Sequence, residues 1–287
     1  DGEEISRQRY FHTSCILDPL TQPLPFTPFK DFTGRSINEI NLYSTEMSSA
    51  LCSIDRVSAS ANMNNRLSEA IVEAYKSTNG APISFELMLK CYQSRMKDAN
   101  NDDSISSVLK QLVNAHIFES EDKVSLIDDS YIIKMDGYPK DGPIAKAIVY
   151  FLMSKLNNIY ELLDKQAVND EVVQIRHFSI IDEAHYMLDF DNRPLRNLIA
   201  VGRNKGLSII LATQNMSSFK SKGFDFYANA QYPLIMKQQT IDDKVIKDLF
   251  GVSGQELQEI RTAIAGLQKG ELIIKDQMAC LLYTSDA

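Results

Sequence analysis

The chain offers little for a metal ion to hold. Its four cysteines, Cys15, Cys52, Cys91 and Cys280, lie far apart and form no CxxC pair. That spacing suggests neither a zinc site nor a disulfide framework, and reduced thiols in a cytoplasmic protein are the expectation. The four histidines, His12, His116, His177 and His185, show no HExxH or related ligand spacing. No run of about 18 apolar residues occurs, so no membrane-spanning helix is expected. Basic residues are not in excess either. The net charge of −8 does not fit a nucleic-acid coat, and any DNA contact falls to local loops.

A further absence concerns phosphate. None of the 12 glycines is followed by lysine. The GxxxxGK[ST] loop, whose amides cradle phosphate and whose lysine neutralises it, is therefore missing. The start, DGEEISRQRY, shows neither an initiator Met nor a signal-peptide pattern and reads as a cut end.

What is present is ordinary globular protein. The 287 residues are enough for one large or two small domains, and 44% hydrophobic with 24% charged residues is a usual soluble balance. Residues 1–36 hold one short strand and a proline-punctuated extended segment, CILDPLTQPLPFTPFKDFTG. Residues 37–128 read as a helical block. Leu67, Ile71, Ala74 and Tyr75 recur at helical spacing, Asn79-Gly80 stops that helix, and Ser84 is a predicted N-cap.

After residue 128 the texture changes. Strands are predicted at YIIKMD (131–136), HFSIID (177–182), LSIILATQ (207–214), YPLIMKQ (232–238) and ELIIKD (271–276). Between them lie helical stretches. One opens at Pro143 and runs to Gln166. Another runs from Pro194 to Lys205, with Asn192 as cap and Gly206 at its stop. Two more follow, DDKVIKDLFG and SGQELQEIRTAI. Strands alternating with helices predict parallel βαβ units. Unalternating apolar strands predict a sheet covered on both faces. The expected fold class is α/β, with a doubly wound, mostly parallel sheet and an inserted helical subdomain. Function in such sheets sits at the carboxyl ends of the strands.

Two strand ends there carry polar groups. SIIDEAH closes an aliphatic strand on Asp182 and Glu183. Such a pair suits nucleotide hydrolysis: the first carboxylate holds Mg²⁺ through water, and the second orients or deprotonates the attacking water. The alternative is a strand that merely exits to solvent. GRNKGLSIILATQ places Thr213 and Gln214 at the end of the strand predicted to neighbour it. An amide there is suited to sensing a γ-phosphate.

The ordered set IIDEAH, GRNKG, IILATQ, YPLIMKQ and GLQKGELIIKD resembles the HerA/FtsK superfamily of ring-shaped DNA-pumping P-loop ATPases, over roughly residues 130–276. The helical block is similar to the insert of HerA-type and conjugative type IV secretion ATPases. The resemblance implies a RecA-like core over 129–278, ATP and Mg²⁺ as ligands, and a homo-hexameric ring on double-stranded DNA. By resemblance Asp182 is the Walker B aspartate that holds Mg²⁺ through water, Glu183 the catalytic glutamate and Gln214 the sensor, with Thr213 beside it at the nucleotide. Arg203, in the GRNKG segment, is implied as a charge contact to nucleotide. Its alternative, stronger still for Lys205, is service to a helix C-terminus. His185 either couples nucleotide state to movement or packs behind the site. Lys220 and Lys222, in SSFKSKGF (217–224), are the candidate pore-loop contacts to DNA phosphates, against a solvated loop.

In this family the Walker A loop lies far N-terminal of Walker B, before the helical block. The expectation is therefore a truncated chain, inactive by itself. ACLLYTSDA resembles translated adapter read-through at the ends of assembled metagenomic genes, so residues 279–287 are expected to be a non-native tail. The biological role is open among DNA-end processing with a nuclease partner, conjugative secretion and anti-phage restriction. The segment ILDPLTQPLPFTPF and the helical block resemble the HerA-like ATPase of phosphorothioation-dependent restriction. Rivals are a DEAH-box helicase fragment, whose second small-residue motif would read S/T-A-T rather than Ala212-Thr213-Gln214, and a catalytically inactive scaffold.

Overall fold

A computed structural model describes residues 14–54, 59–97, 102–169, 172–214, 216–221, 224–230, 232–275 and 280–284. Its chain divides into two compact units, residues 1–178 with 190–208, and residues 179–189 with 209–287.

The first unit opens with strand β1 (Cys15–Leu17), paired in parallel with β2 (Tyr131–Ile133). Helices α1 (Ile37–Ile54), α2 (Ala61–Ser77), α3 (Phe85–Gln93) and α4 (Ser104–Ala115) follow β1. Helix α5 (Pro143–Leu162) follows β2. The helical period was well marked in α2: Leu67, Ile71, Ala74 and Tyr75 are all fully buried. Asn79 and Gly80 both take positive φ and end it. Ser84 caps α3 by accepting from Leu87 N–H at 3.2 Å.

The proline-punctuated segment after β1 is irregular, yet its backbone is tied down. Leu24 N–H donates to Ile117 O (2.6 Å), Phe32 N–H to Gly80 O (2.7 Å) and Thr27 N–H to Asp122 Oδ1 (3.0 Å). Gly80 is required where it stands, because a Cβ would lie 2.6 Å from Phe32 O. The segment delivers Phe26 and Phe29 into a cluster of edge-on and tilted rings with Phe85, Phe118 and Phe151, centroids 4.9–6.2 Å apart. Such packing adds to the area term of burying each ring. Helix α5 supplies Phe151 and is buried at every position from Ala145 to Phe151, Lys146 included. A helical stretch buried on every side needs neighbours all round.

Helix α5 ends at Leu162, four residues before the expected Gln166, because Leu163 is extended (φ −78°, ψ 144°). Lys205 Nζ donates to Tyr160 O (2.5 Å) and Glu161 O (3.0 Å), satisfying the last carbonyls. A two-residue-strand hairpin follows, β3 (Val168–Asn169) with β4 (Val172–Val173); Asn169-Asp170 between flanking valines is its signal in the sequence. The expected 194–205 helix is α6 (Arg193–Val201), capped by Asn192 through Leu195 N–H (3.1 Å), then a 3₁₀ turn over Gly202–Lys205.

Strands β5 (His177–Ile181) and β6 (Leu207–Leu211) pair with each other, and each is shared between the two units. Both are shorter than predicted. The coverage expected on both faces of this sheet is not found. Phe178 and Ile180 are 56% exposed and Ile210 40%, whereas a covered face needs a layer of helices packed over it.

The second unit is built on β9 (Leu234–Met236), β10 (Glu271–Lys275) and β11 (Cys280–Thr284), with helices α8 (Asp243–Phe250) and α9 (Gly254–Gly266) between β9 and β10. Ile235 and Ile273 face the buried sides of α8 and α9, with Val245, Ile246, Leu249, Leu257 and Ile264. The parallel arrangement expected for the last strands is corrected here: β10 runs antiparallel to β9 and to β11. A single crossover helix delivers the next strand parallel. Two helices joined by a short turn return the chain to the end it left. Residues 280–284 of the expected tail form β11. Before β9 comes a small hairpin, β7 (Lys220–Ser221) with β8 (Phe224–Asp225), then the short helix α7 (Phe226–Asn229).

Asp103 carries three duties in the first unit. It caps α4 through Ser106 N–H (2.9 Å), accepts Tyr92 O–H (2.7 Å) and pairs with Arg66 (3.2 Å). Asp103→Ala is expected to destabilise by roughly 2–3 kcal/mol, a lost cap plus stranded partners. Asp103→Asn keeps the cap and is expected to cost less than half of that in a denaturant melt. Equal losses in the two variants would show that the charge, not the cap, matters.

The imidazole of His177 is disfavoured as a cation. Burial pushes its pKa below the ordinary histidine value, and its Nδ1 is buried with no hydrogen-bond partner. The unfolded chain therefore binds the proton more readily, and His177 costs stability as pH falls below about 6.5. His177→Phe is expected to flatten the melting temperature between pH 7 and 5 relative to wild type.

Candidate functional site

Beyond Ile181 the chain leaves the strand in a tight turn at Asp182 and Glu183, then forms a 3₁₀ turn over Ala184–Met187. Glu183 is left-handed (φ 50°, ψ 40°), a conformation that costs a non-glycine residue roughly 1–2 kcal/mol. Two backbone bonds to the end of β6 hold the turn: Ala212 N–H donates to Ile181 O (2.9 Å), and Ala184 N–H to Ala212 O (2.8 Å). The start of the same ladder is set by Gly206, whose carbonyl accepts from Arg176 N–H (2.7 Å) and His177 N–H (3.1 Å).

These bonds bring four side chains of the second unit together. Gln214 Nε2 donates to Glu183 Oε1. His185 Nδ1 lies 3.4 Å from Glu183 Oε2 and hydrogen-bonds Thr213 Oγ1 at 3.2 Å. Glu183 Oε2 is shut away from solvent and makes no hydrogen bond. Asp182 differs from its neighbour. It is exposed, and its Oδ1 accepts the Glu183 N–H (2.9 Å). An exposed carboxylate held by one oxygen fits a water shell around Mg²⁺. The side chain that faces protein is suited to proton work, and the one that faces solvent to a hydrated cation.

The other named residues stand elsewhere. Arg203 is exposed on the 3₁₀ turn Gly202–Lys205 of the first unit. Lys205 serves the C-terminus of α5, as above. Lys220 lies on β7, and Lys222 falls outside the described residues. The segment expected as a loop is thus in part a hairpin. Gly223 between the two pairs is the turn signal in the sequence, but Lys220-Ser221 and Phe224-Asp225 carry little strand propensity. The left-handed Glu183 and the His185–Thr213 contact had no signal in the sequence, because both depend on which strand end lies alongside.

No protein-family model matches the chain, and no curated protein matches its sequence. Solved structures do match. VirB4 of Thermoanaerobacter pseudethanolicus is similar over 99% of this chain and 79% of its own, at 16% identity and a TM-score of 0.67. The bacterial conjugative coupling protein TrwBΔN70, a trigonal form in complex with sulphate, is similar over 99% and 76%, at 12% identity and 0.59. The plasmid coupling protein TrwB in complex with the non-hydrolysable ATP analogue ADPNP is similar over 96% and 73%, at 13% identity and 0.55. The chain shares their α/β fold. At such identities the likeness concerns the fold and not the residues of the site.

Gly206 stands where the start of β6 is most closely approached by backbone. Its φ is +82°, and a Cβ would meet Gln174 O at 2.8 Å and Arg176 N at 3.0 Å. Gly251 also has positive φ (+71°) but nothing within 4 Å of a Cβ. Gly251→Ala is expected to cost about 1 kcal/mol for the conformation alone. Gly206→Ala should cost clearly more, roughly 2–4 kcal/mol with the backbone clash added. Equal melting temperatures for the two variants would contradict this.

Proposed function

We propose that the chain is the Walker B and sensor half of an ATP-driven motor of the HerA/FtsK class, working as a homo-hexamer on double-stranded DNA. The observation that carries the reading is the Glu183 carboxylate bonded by Gln214 at adjoining strand ends, in a fold shared with a protein solved with an ATP analogue. Asp182 would hold Mg²⁺ through its water shell, and Thr213 would stand beside the nucleotide. Bound Mg²⁺ would neutralise charge that develops on the phosphates. Glu183 would orient the attacking water and accept its proton, and Gln214 would read the terminal phosphate. Arg203 is assigned to nucleotide contact and Lys220 and Lys222 to DNA phosphates. The phosphate cradle would come from a GK[ST] loop that these 287 residues do not contain, so this stretch alone would not turn over ATP. A nuclease or restriction partner and a cytoplasmic setting complete the reading.

A second reading has an observation of its own. The structures reported above include a conjugative coupling protein and VirB4, which favours a motor of conjugative secretion equally well. The two readings share one site and differ in what is moved.

The test is Glu183→Gln in the gene product that carries the GK[ST] loop. Hydrolysis is expected to fall by about 100-fold or more, with ADPNP affinity changed less than about threefold. Undiminished turnover would remove Glu183 from the chemistry. Failure of the wild-type protein to bind nucleotide would leave a scaffold.

A further inference from the structure

The carboxylate assigned as base is tied to its neighbours through both oxygens. A general base needs an oxygen that water can reach and a lone pair to receive the proton. Glu183 Oε1 already accepts from the Gln214 amide, which holds one of its two lone pairs. Its Oε2 is closed to solvent, with His185 Nδ1 3.4 Å away. The backbone beneath is left-handed, a state that persists only where its surroundings over-determine it. The two bonds of Ala212 to Ile181 and Ala184 supply that restraint.

We propose that Gln214 and His185 hold Glu183 in a resting position, and that a triphosphate's terminal phosphate frees it by drawing off the Gln214 amide. The proposal rests on the ATP-hydrolysing reading above. Glutamate and phosphate oxygens are both anionic, so the amide exchanges one charge-assisted hydrogen bond for another of similar strength. The exchange frees the lone pair of Oε1 that the amide held and releases the carboxylate to turn towards water. His185, braced by the Thr213 hydroxyl at 3.2 Å, is a positioning residue. It keeps Oε2 covered, so the released carboxylate presents a single oxygen in a defined direction. Hydrolysis without a correctly seated terminal phosphate is thereby suppressed, and Gln214 acts as restraint before binding and as sensor after it.

Two measurements separate this proposal from the reading it rests on. The first uses the chain as it stands and follows the Gln214 side-chain amide by ¹H–¹⁵N NMR, assigned with Gln214→Ala. Its two proton signals are expected well away from those of exposed glutamines, and Glu183→Ala should return them there. The Ala212 amide, bonded to Ile181 O, reports that the turn is intact in that variant. Wild-type signals already at the exposed-glutamine position overturn the resting contact.

The second measurement uses the gene product with its GK[ST] loop, ADPNP and Mg²⁺. Binding with the Gln214 signals shifted off their Glu183 position is the expected result. Binding with those signals unmoved overturns the exchange and leaves the ATPase reading standing. Absence of binding overturns both. For His185, His185→Leu is expected to lower kcat about tenfold at unchanged KM. His185→Asn, whose amide nitrogen can stand in for Nδ1, should recover most of it. Equal loss in the two variants overturns the positioning role.

Discussion

Two backbone hydrogen bonds decide where the site's groups stand. Ala212 donates to Ile181 and accepts from Ala184, so one residue at the end of β6 clamps both sides of the Asp182–Glu183 turn. The clamp has chemical consequences because the turn is only two residues long. It leaves Asp182 pointing outward and commits Glu183 to a left-handed backbone. From there its carboxylate meets Gln214 and His185. The buried Oε2 of Glu183 and its neighbour His185 are cheaper to hold at the end of a ladder than in a free loop, since the strands have already lost their conformational freedom.

The first unit shows a different economy. Its long irregular segment carries little regular structure but places Leu24, Phe26, Phe29 and Phe32 at 0–3% exposure. Hydrogen bonds to Ile117, Gly80 and Asp122 replace the missing secondary structure, as buried backbone requires. The aromatic cluster and helix α5 then depend on each other, since the stretch from Ala145 to Phe151 is buried on every side and is stable only when enclosed. The second unit rests on a smaller core. Ile235 and Ile273 meet α8 and α9 on one face of the β9–β10 pair, while Leu234 and Met236 on the other face are 60% and 56% exposed.

Local signals were read well where local chemistry decides. Ser84, Asn192 and Gly206 end or begin their helices as their residue types dictate. Pro143 opens α5, and the period through Leu67, Ile71, Ala74 and Tyr75 marks a buried face. Ends that are set from a distance leave no local signal. Helix α5 stops at Leu162 where Lys205, 45 residues after Tyr160 in sequence, meets its carbonyls. The direction of β10 followed from the number of helices before it, not from its own five residues. The apolar run of β5 predicts cover on both faces, but Phe178 and Ile180 lie open, because hydrophobicity alone does not say which neighbours are present.

The sequence by itself determined the residue types at two strand ends, the caps and breakers that delimit most helices, and the order in which strands and helices alternate. Those are short-range matters of backbone preference and side-chain hydrogen bonding. Only the tertiary structure decided that Gln214 meets Glu183, that His185 stands between Thr213 and Glu183, and that Asp182 faces outward instead. Each of these depends on the register between two strands about 30 residues apart, and register is a property of a pair, not of either strand alone.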